Sequence, residues 1–132
     1  MLDIHSQTVG EPNAITGPAA IIDLQKQLPD VHFSDELKSY IVDLCRESRN
    51  HPDIALGASP RAALYTMHAA RARALLHGRN YATHEDIQSM AKPVLGHRLI
   101  LRPEAEIEGR DIAEVIKEIA TKVPVTIKSD ER

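Results

Sequence analysis

The sequence predicts an all-α domain, a helical bundle with a short β-hairpin near residues 98–108. Three observations carry this reading. Apolar residues recur at intervals of three and four in several separate stretches, which is the spacing of one face of an α-helix. Most of these stretches open on Ser, Thr, Asp or Pro, the residues that suit the uncapped N–H groups of a first helical turn. Aromatic residues make up only 3% of the chain and Trp is absent, so the core has to be built from Leu, Ile, Val, Ala and Met, which suits packed helices. The 132 residues fit one domain with a real core, and 42% hydrophobic with 27% charged residues is an ordinary globular balance.

Residues 1–17 read as a linker or tail, because Gly10, Glu11-Pro12-Asn13 and Gly17-Pro18 break any helical pattern. The domain proper is expected over 18–125. Pro18 opens a short helix with a stripe of Ile21, Leu24 and Leu28, and Pro29 stops it. Ser34 caps the next helix, with Asp35 and Glu36 complementing its positive end. Leu37, Tyr40, Ile41, Leu44, Cys45 and Ser48 share one face of that helix, and Pro52 ends it. A third helix runs from Ser59-Pro60 to Gly78, with an apolar side of Leu64, Met67, Ala70, Ala74 and Leu75. Its many Ala residues permit close approach of a neighbouring helix.

Thr83 and Asp86 have the spacing of a capping box and open a helix through Met90 or Ala91, which Pro93 disturbs or restarts. Arg98 to Arg102 is expected as a short strand paired with 105–108. Asp111 and Glu114 mark another capped start, followed by the stripe Ile112, Val115, Ile116, Ile119 and Val123, and Pro124 closes it. Residues 126–132 are polar and expected to fray.

A net charge of −3 and a pI near 6.1 offer no broad basic face, which argues against non-specific nucleic-acid binding. Cys45 has no partner for an internal disulfide and fits a reducing compartment. No apolar run approaches the roughly 18 residues of a membrane span. Met1-Leu2-Asp3-Ile4-His5 lacks the pattern of a signal peptide, so the expected location is the cytoplasm.

Familiar catalytic patterns are missing. There is no G-x-x-x-x-G-K-[ST] phosphate loop, no G-x-G-x-x-G turn and no G-x-S-x-G elbow. His5, His32, His51, His68, His77, His84 and His97 form no H-E-x-x-H pair; after His84-Glu85, Gln88 stands where a second ligand would be. No metal site is expected. Cys45 lies on an apolar stripe and reads as a small buried hydrophobe.

One segment points to chemistry: Gly57-Ala58-Ser59-Pro60-Arg61-Ala62. With Ser59 as cap and Pro60 at the first helical position, Arg61 falls in the first turn. That end of a helix carries free N–H groups and partial positive charge, so a cation there is disfavoured by about 0.3–1 kcal/mol unless an anion joins it. A helix N-terminus with a guanidinium is a good receptor for a phosphate oxygen. A solvated Arg that swings away from the helix end fits the same residues.

The segment Gly57 to Ala62 resembles the sensor 2 motif of the MoxR family of AAA+ ATPases. The resemblance extends to Tyr40-Ile41-Val42-Asp43-Leu44 and Arg49-Asn50-His51-Pro52, and to Gly78-Arg79-Asn80-Tyr81-Ala82-Thr83 with Glu85-Asp86-Ile87. Pro93 to Leu101 and Pro103 to Gly109 resemble the family's C-terminal signature, so the match runs from about residue 20 to 125. It implies a helical lid that follows an α/β ATPase core carrying the phosphate loop and Walker B acid. It also implies ring assembly with neighbouring subunits, commonly as hexamers, and chaperone-like remodelling of partner proteins, many of which contain von Willebrand factor A domains. ATP and Mg2+ belong to the full-length protein, and this chain alone is expected to bind neither tightly nor to hydrolyse ATP.

By the same resemblance Arg61 is the sensor 2 arginine that reaches the ATP γ-phosphate. Ser59 and Pro60 set the helix start that aims it, and Gly57 and Ala58 lie near the nucleotide. Two other readings stand beside this one. A small DNA-binding module would use the helices either side of Gly78 to Thr83, with Arg71, Arg73, Arg79 and Arg98 on phosphates, although that connection exceeds the usual turn of about 3–4 residues. A protein-interaction module is the other.

Overall fold

The computed structural model describes residues 10–125, so the expectations for residues 1–9 and for a frayed 126–132 lie outside the described residues. Residues 10–16 carry no helix or strand. Six helices follow: α1 (Pro18–Gln27), α2 (Asp35–Asn50), α3 (Pro60–Leu76), α4 (His84–Leu95), α5 (Pro103–Ile107) and α6 (Ile112–Lys122). A 3-10 turn at Leu28–Asp30 continues α1, and two short strands, β1 (Ile54–Leu56) and β2 (Ile100–Leu101), lie between helices.

The helices start where side chains can satisfy their first N–H groups. The Ser34 hydroxyl accepts from the Leu37 amide at 3.3 Å, and Ser59 does the same for Ala62 at 3.3 Å. Thr83 and Asp86 complete both halves of a capping box at α4. Asp111 caps α6 through the Ala113 amide. Gly78, with φ at 72°, takes the left-handed turn that ends α3, a conformation costly for a residue with a Cβ.

The core is shared by α2, α3, α4 and α6. Helix α3 packs most extensively on α4, α2 packs on α3 and α6, and α6 also meets α4. All six stripe residues of α2, from Leu37 to Ser48, are buried, as are Val115, Ile116, Ile119 and Val123 of the last helix segment. The Tyr40 hydroxyl donates to the Ala120 carbonyl at 3.1 Å and accepts from the Gln88 amide at 3.1 Å, joining α2, α6 and α4. The loop before α2 is held to the α3–α4 connection, where the His32 amide donates to Asn80 and the Ala82 amide to His32. Burial pushes the Cys45 thiol upward against an opposing pull from the Arg49 charge.

The structure differs from the sequence reading in four places. The apolar stripe of α1 is not part of the core: no residue of the helix is buried, and Ile21 is 45% exposed. Leu64 is not on the packed side of α3; it is 56% exposed, while Ala62, Thr66, Ala70 and Ala74 form the buried row. Small side chains let α3 approach its neighbours closely, so the large Leu is left outside. Helix α4 continues through Pro93 to Leu95. Pro93 and Ser89 are both exposed, so the carbonyl that loses its helical donor lies on the outer face of the helix, within reach of water. Finally, β2 pairs antiparallel with β1, Ile54 opposite Leu101, and not with 105–108, where Pro103 instead starts α5.

Candidate functional site

The start of α3 is built by its own sequence and then fastened to α2. Ser59 adopts extended backbone and caps the helix, and Pro60 takes the first position, where a missing N–H costs nothing. Arg61 follows in the first turn and is exposed. No acidic residue stands in that turn, and Arg61 forms no ion pair with any described residue. Its guanidinium is therefore available at the positive end of a 17-residue helix.

The two residues before the cap are held from both sides. The Ala58 amide donates to the Ser48 hydroxyl at 2.8 Å, and the Ala58 carbonyl accepts from Arg49 Nε at 2.9 Å. Ser48 in turn donates to the Cys45 carbonyl at 2.7 Å. Gly57 lies so close to α2 that a Cβ there would stand 2.7 Å from the Arg49 Cα and 2.6 Å from its Cγ. Any other residue would force the two backbones apart. The structure thus brings Gly57, Ala58, Ser59, Pro60 and Arg61 together as one continuous turn. It adds Ser48 and Arg49, which the sequence reading placed on a stripe and in a motif without a role. The available signal was a Ser interrupting an otherwise apolar face.

A second polar cluster sits at the α3–α4 corner. Asp86 has no exposed surface, and its carboxylate accepts from Arg73, from both terminal nitrogens of Arg79 at 2.8 Å, and from the Thr83 amide at 2.8 Å. Burial alone would raise its pKa, but the bonds from Arg79, Thr83 and Arg73 outweigh that and hold it well below the usual carboxylate range. The Arg71 guanidinium lies 5.6 Å from the Phe33 ring centroid, and that of Arg98 lies 4.6 Å from the Tyr65 centroid. The four arginines that a DNA-binding reading requires are therefore engaged within the domain, two on a carboxylate and two over aromatic rings. A third cluster, Arg110 with Asp53 at 2.8 Å and Glu118 at 2.7 Å, joins the turn before β1 to α6. Hydrogen bonds that Arg110 donates to Glu118 and Asp53 raise it above its ordinary value, and Arg110 lowers Glu118.

The family profile described as AAA lid domain matches residues 46–119, a span that includes the α3 start and both polar clusters. The chain belongs to the AAA+ lid domains of the MoxR family. Among relatives of this lid, the uncharacterized protein YeaC of Bacillus subtilis is 44% identical over 104 residues, which is 77% of this chain and 32% of YeaC. Protein MoxR of Paracoccus denitrificans is 34% identical over 88 residues, covering 57% of this chain and 26% of that protein. Chaperone MoxR1 of Mycobacterium tuberculosis is 46% identical over 52 residues, 39% of this chain and 14% of its own length. The lid therefore spans a third or less of the curated relatives it matches. A crystal structure of a candidate ATPase from Cytophaga hutchinsonii superposes with a TM-score of 0.77 at 31% identity, over 83% of the lid and 36% of that chain.

Proposed function

We propose that this lid, residues 18–125, closes over a nucleotide held by an ATPase core of the same protein, and that Arg61 meets the γ-phosphate. The observation that carries the reading is the exposed Arg61 in the first turn of α3, with no acidic residue in that turn and no ion-pair partner among the described residues. An arginine so placed fits a phosphate oxygen by charge and by fork geometry. Ser59 and Pro60 define where the helix begins, and Gly57 and Ala58 carry the approach to it.

ATP and Mg2+ are the cofactors expected of an AAA+ protein. Among the described residues no group of three or more His, Cys, Asp or Glu side chains is placed to hold a metal ion. In this reading the lid's share is the phosphate contact, with Mg2+ held by the core. Arg61 stabilises charge on the transferring phosphoryl oxygens, and because it rides on α3 it couples nucleotide state to lid position. Lid movement within a ring of subunits, a hexamer in the commonest case, would then drive chaperone-like remodelling of client proteins, with von Willebrand factor A domain proteins among the candidates. The cytoplasm is the compartment this reading assumes, and no described helix is long and apolar enough to cross a membrane.

The test joins the lid to its ATPase core and replaces Arg61 by Ala. Loss of one such charge-stabilising donor is expected to lower kcat on the order of 100-fold. Unchanged hydrolysis would remove Arg61 from the mechanism and leave it a solvated surface arginine.

A further inference from the structure

We infer that Arg49 is a positioning residue for Arg61, acting from the last turn of α2 through the Gly57–Ala58 backbone. The inference rests on the reading of Arg61 given above. Arg61 itself makes no bond that could set its direction among the described residues, so its aim depends on where the helix start is held. That start is referenced to α2 at three consecutive points: Gly57 against the Arg49 backbone, the Ala58 amide on Ser48, and the Ala58 carbonyl on Arg49 Nε. Helix α2 is in turn fixed by its buried stripe and by the Tyr40 bond to Ala120. The last turn of α2 is therefore the rigid base of the turn that presents Arg61.

Arg49 is the part of this base that can be changed with least harm to the fold. Its side chain is exposed, whereas Ser48 and Ala58 are buried. Removing the Nε donor frees the Ala58 carbonyl to water and loosens the turn on one side. A misplacement of about 1 Å at a reacting centre can cost up to roughly 100-fold in rate, so partial loosening is expected to cost about 10-fold.

The experiment compares Arg49→Ala, Ser48→Ala and Arg61→Ala, and each of the first two combined with the third, in the full-length protein with its core. Steady-state ATP hydrolysis is the activity readout, and thermal unfolding monitors the fold. Arg49→Ala is expected to lower kcat about 10-fold with KM changed less than about 2-fold, and Ser48→Ala to act in the same direction. In the Arg61→Ala background neither change should lower kcat further, because the group being aimed is gone. Effects that multiply in that background would overturn the proposal, since they would mean that Arg49 meets the nucleotide directly or supports the fold generally. An Arg49→Ala protein with full kcat would overturn it too. If Arg61→Ala alone leaves hydrolysis untouched, the reading of Arg61 fails and this inference goes with it.

Discussion

Asp86 and His84, two residues apart at the head of α4, respond to acid in different pH ranges. His84 has a buried Nε2 without a hydrogen-bond partner among the described residues, and burial lowers its pKa below the ordinary 6.5. The unfolded chain then binds a proton more readily than the folded one, so stability falls as pH drops through about 6.5 and below. Asp86 is lowered in the folded state because the bonds from Arg79, Thr83 and Arg73 overcome its burial. Its contribution is complete above the ordinary 3.8 and is lost as pH falls further toward its folded value. Urea unfolding across a pH series is expected to show two separate declines. His84→Gln should flatten the first and Asp86→Asn the second; a single decline untouched by either change would refute the assignment. The sequence disclosed the Thr83–Asp86 cap, because a capping box is a local pattern. It did not disclose that Arg73 and Arg79 converge on the same carboxylate, because those contacts depend on how two helices meet.

Helix α2 was legible in full, since its large apolar residues and its buried face coincide. Helix α3 was legible in its bounds but not in its orientation. Leu64 and the Ala row compete for the packed side, and a pattern search favours the larger side chain; close helix contact favours the smaller. The two faces make opposite predictions for substitution. Ala70→Leu adds volume to a position with no exposed surface and is expected to destabilise by about 1–3 kcal/mol. Leu64→Ser, on the open side, is expected to change stability by less than about 0.5 kcal/mol in the isolated domain. Chemical denaturation of the two variants measures this, and the reverse order would restore the original orientation. Pro93 carries a similar lesson, because a helix tolerates proline where the freed carbonyl faces water.

At the scale of the whole domain, the all-α bundle and the helix start at Ser59–Pro60 were accessible from local signals, while the long-range closures were not. Nothing in a strand of three residues names its partner, and β1 meets β2 some 45 residues away. The start of α3 was recognisable as a helix mouth. That it is bolted to α2 required Ser48, Arg49 and Gly57 to be seen in one place.

The Asp53–Arg110 and Tyr40–Ala120 contacts have a consequence for chain connectivity. The exposed turn at Gly109 is crossed by the covalent backbone, but α6 beyond it is retained by its own apolar face and these bonds. A protease nick at that turn should yield two pieces that co-elute in gel filtration and separate only in denaturant; pieces that part under native conditions would contradict the packing. Severing the backbone there would raise the entropy of the denatured ensemble while leaving the native interactions in place.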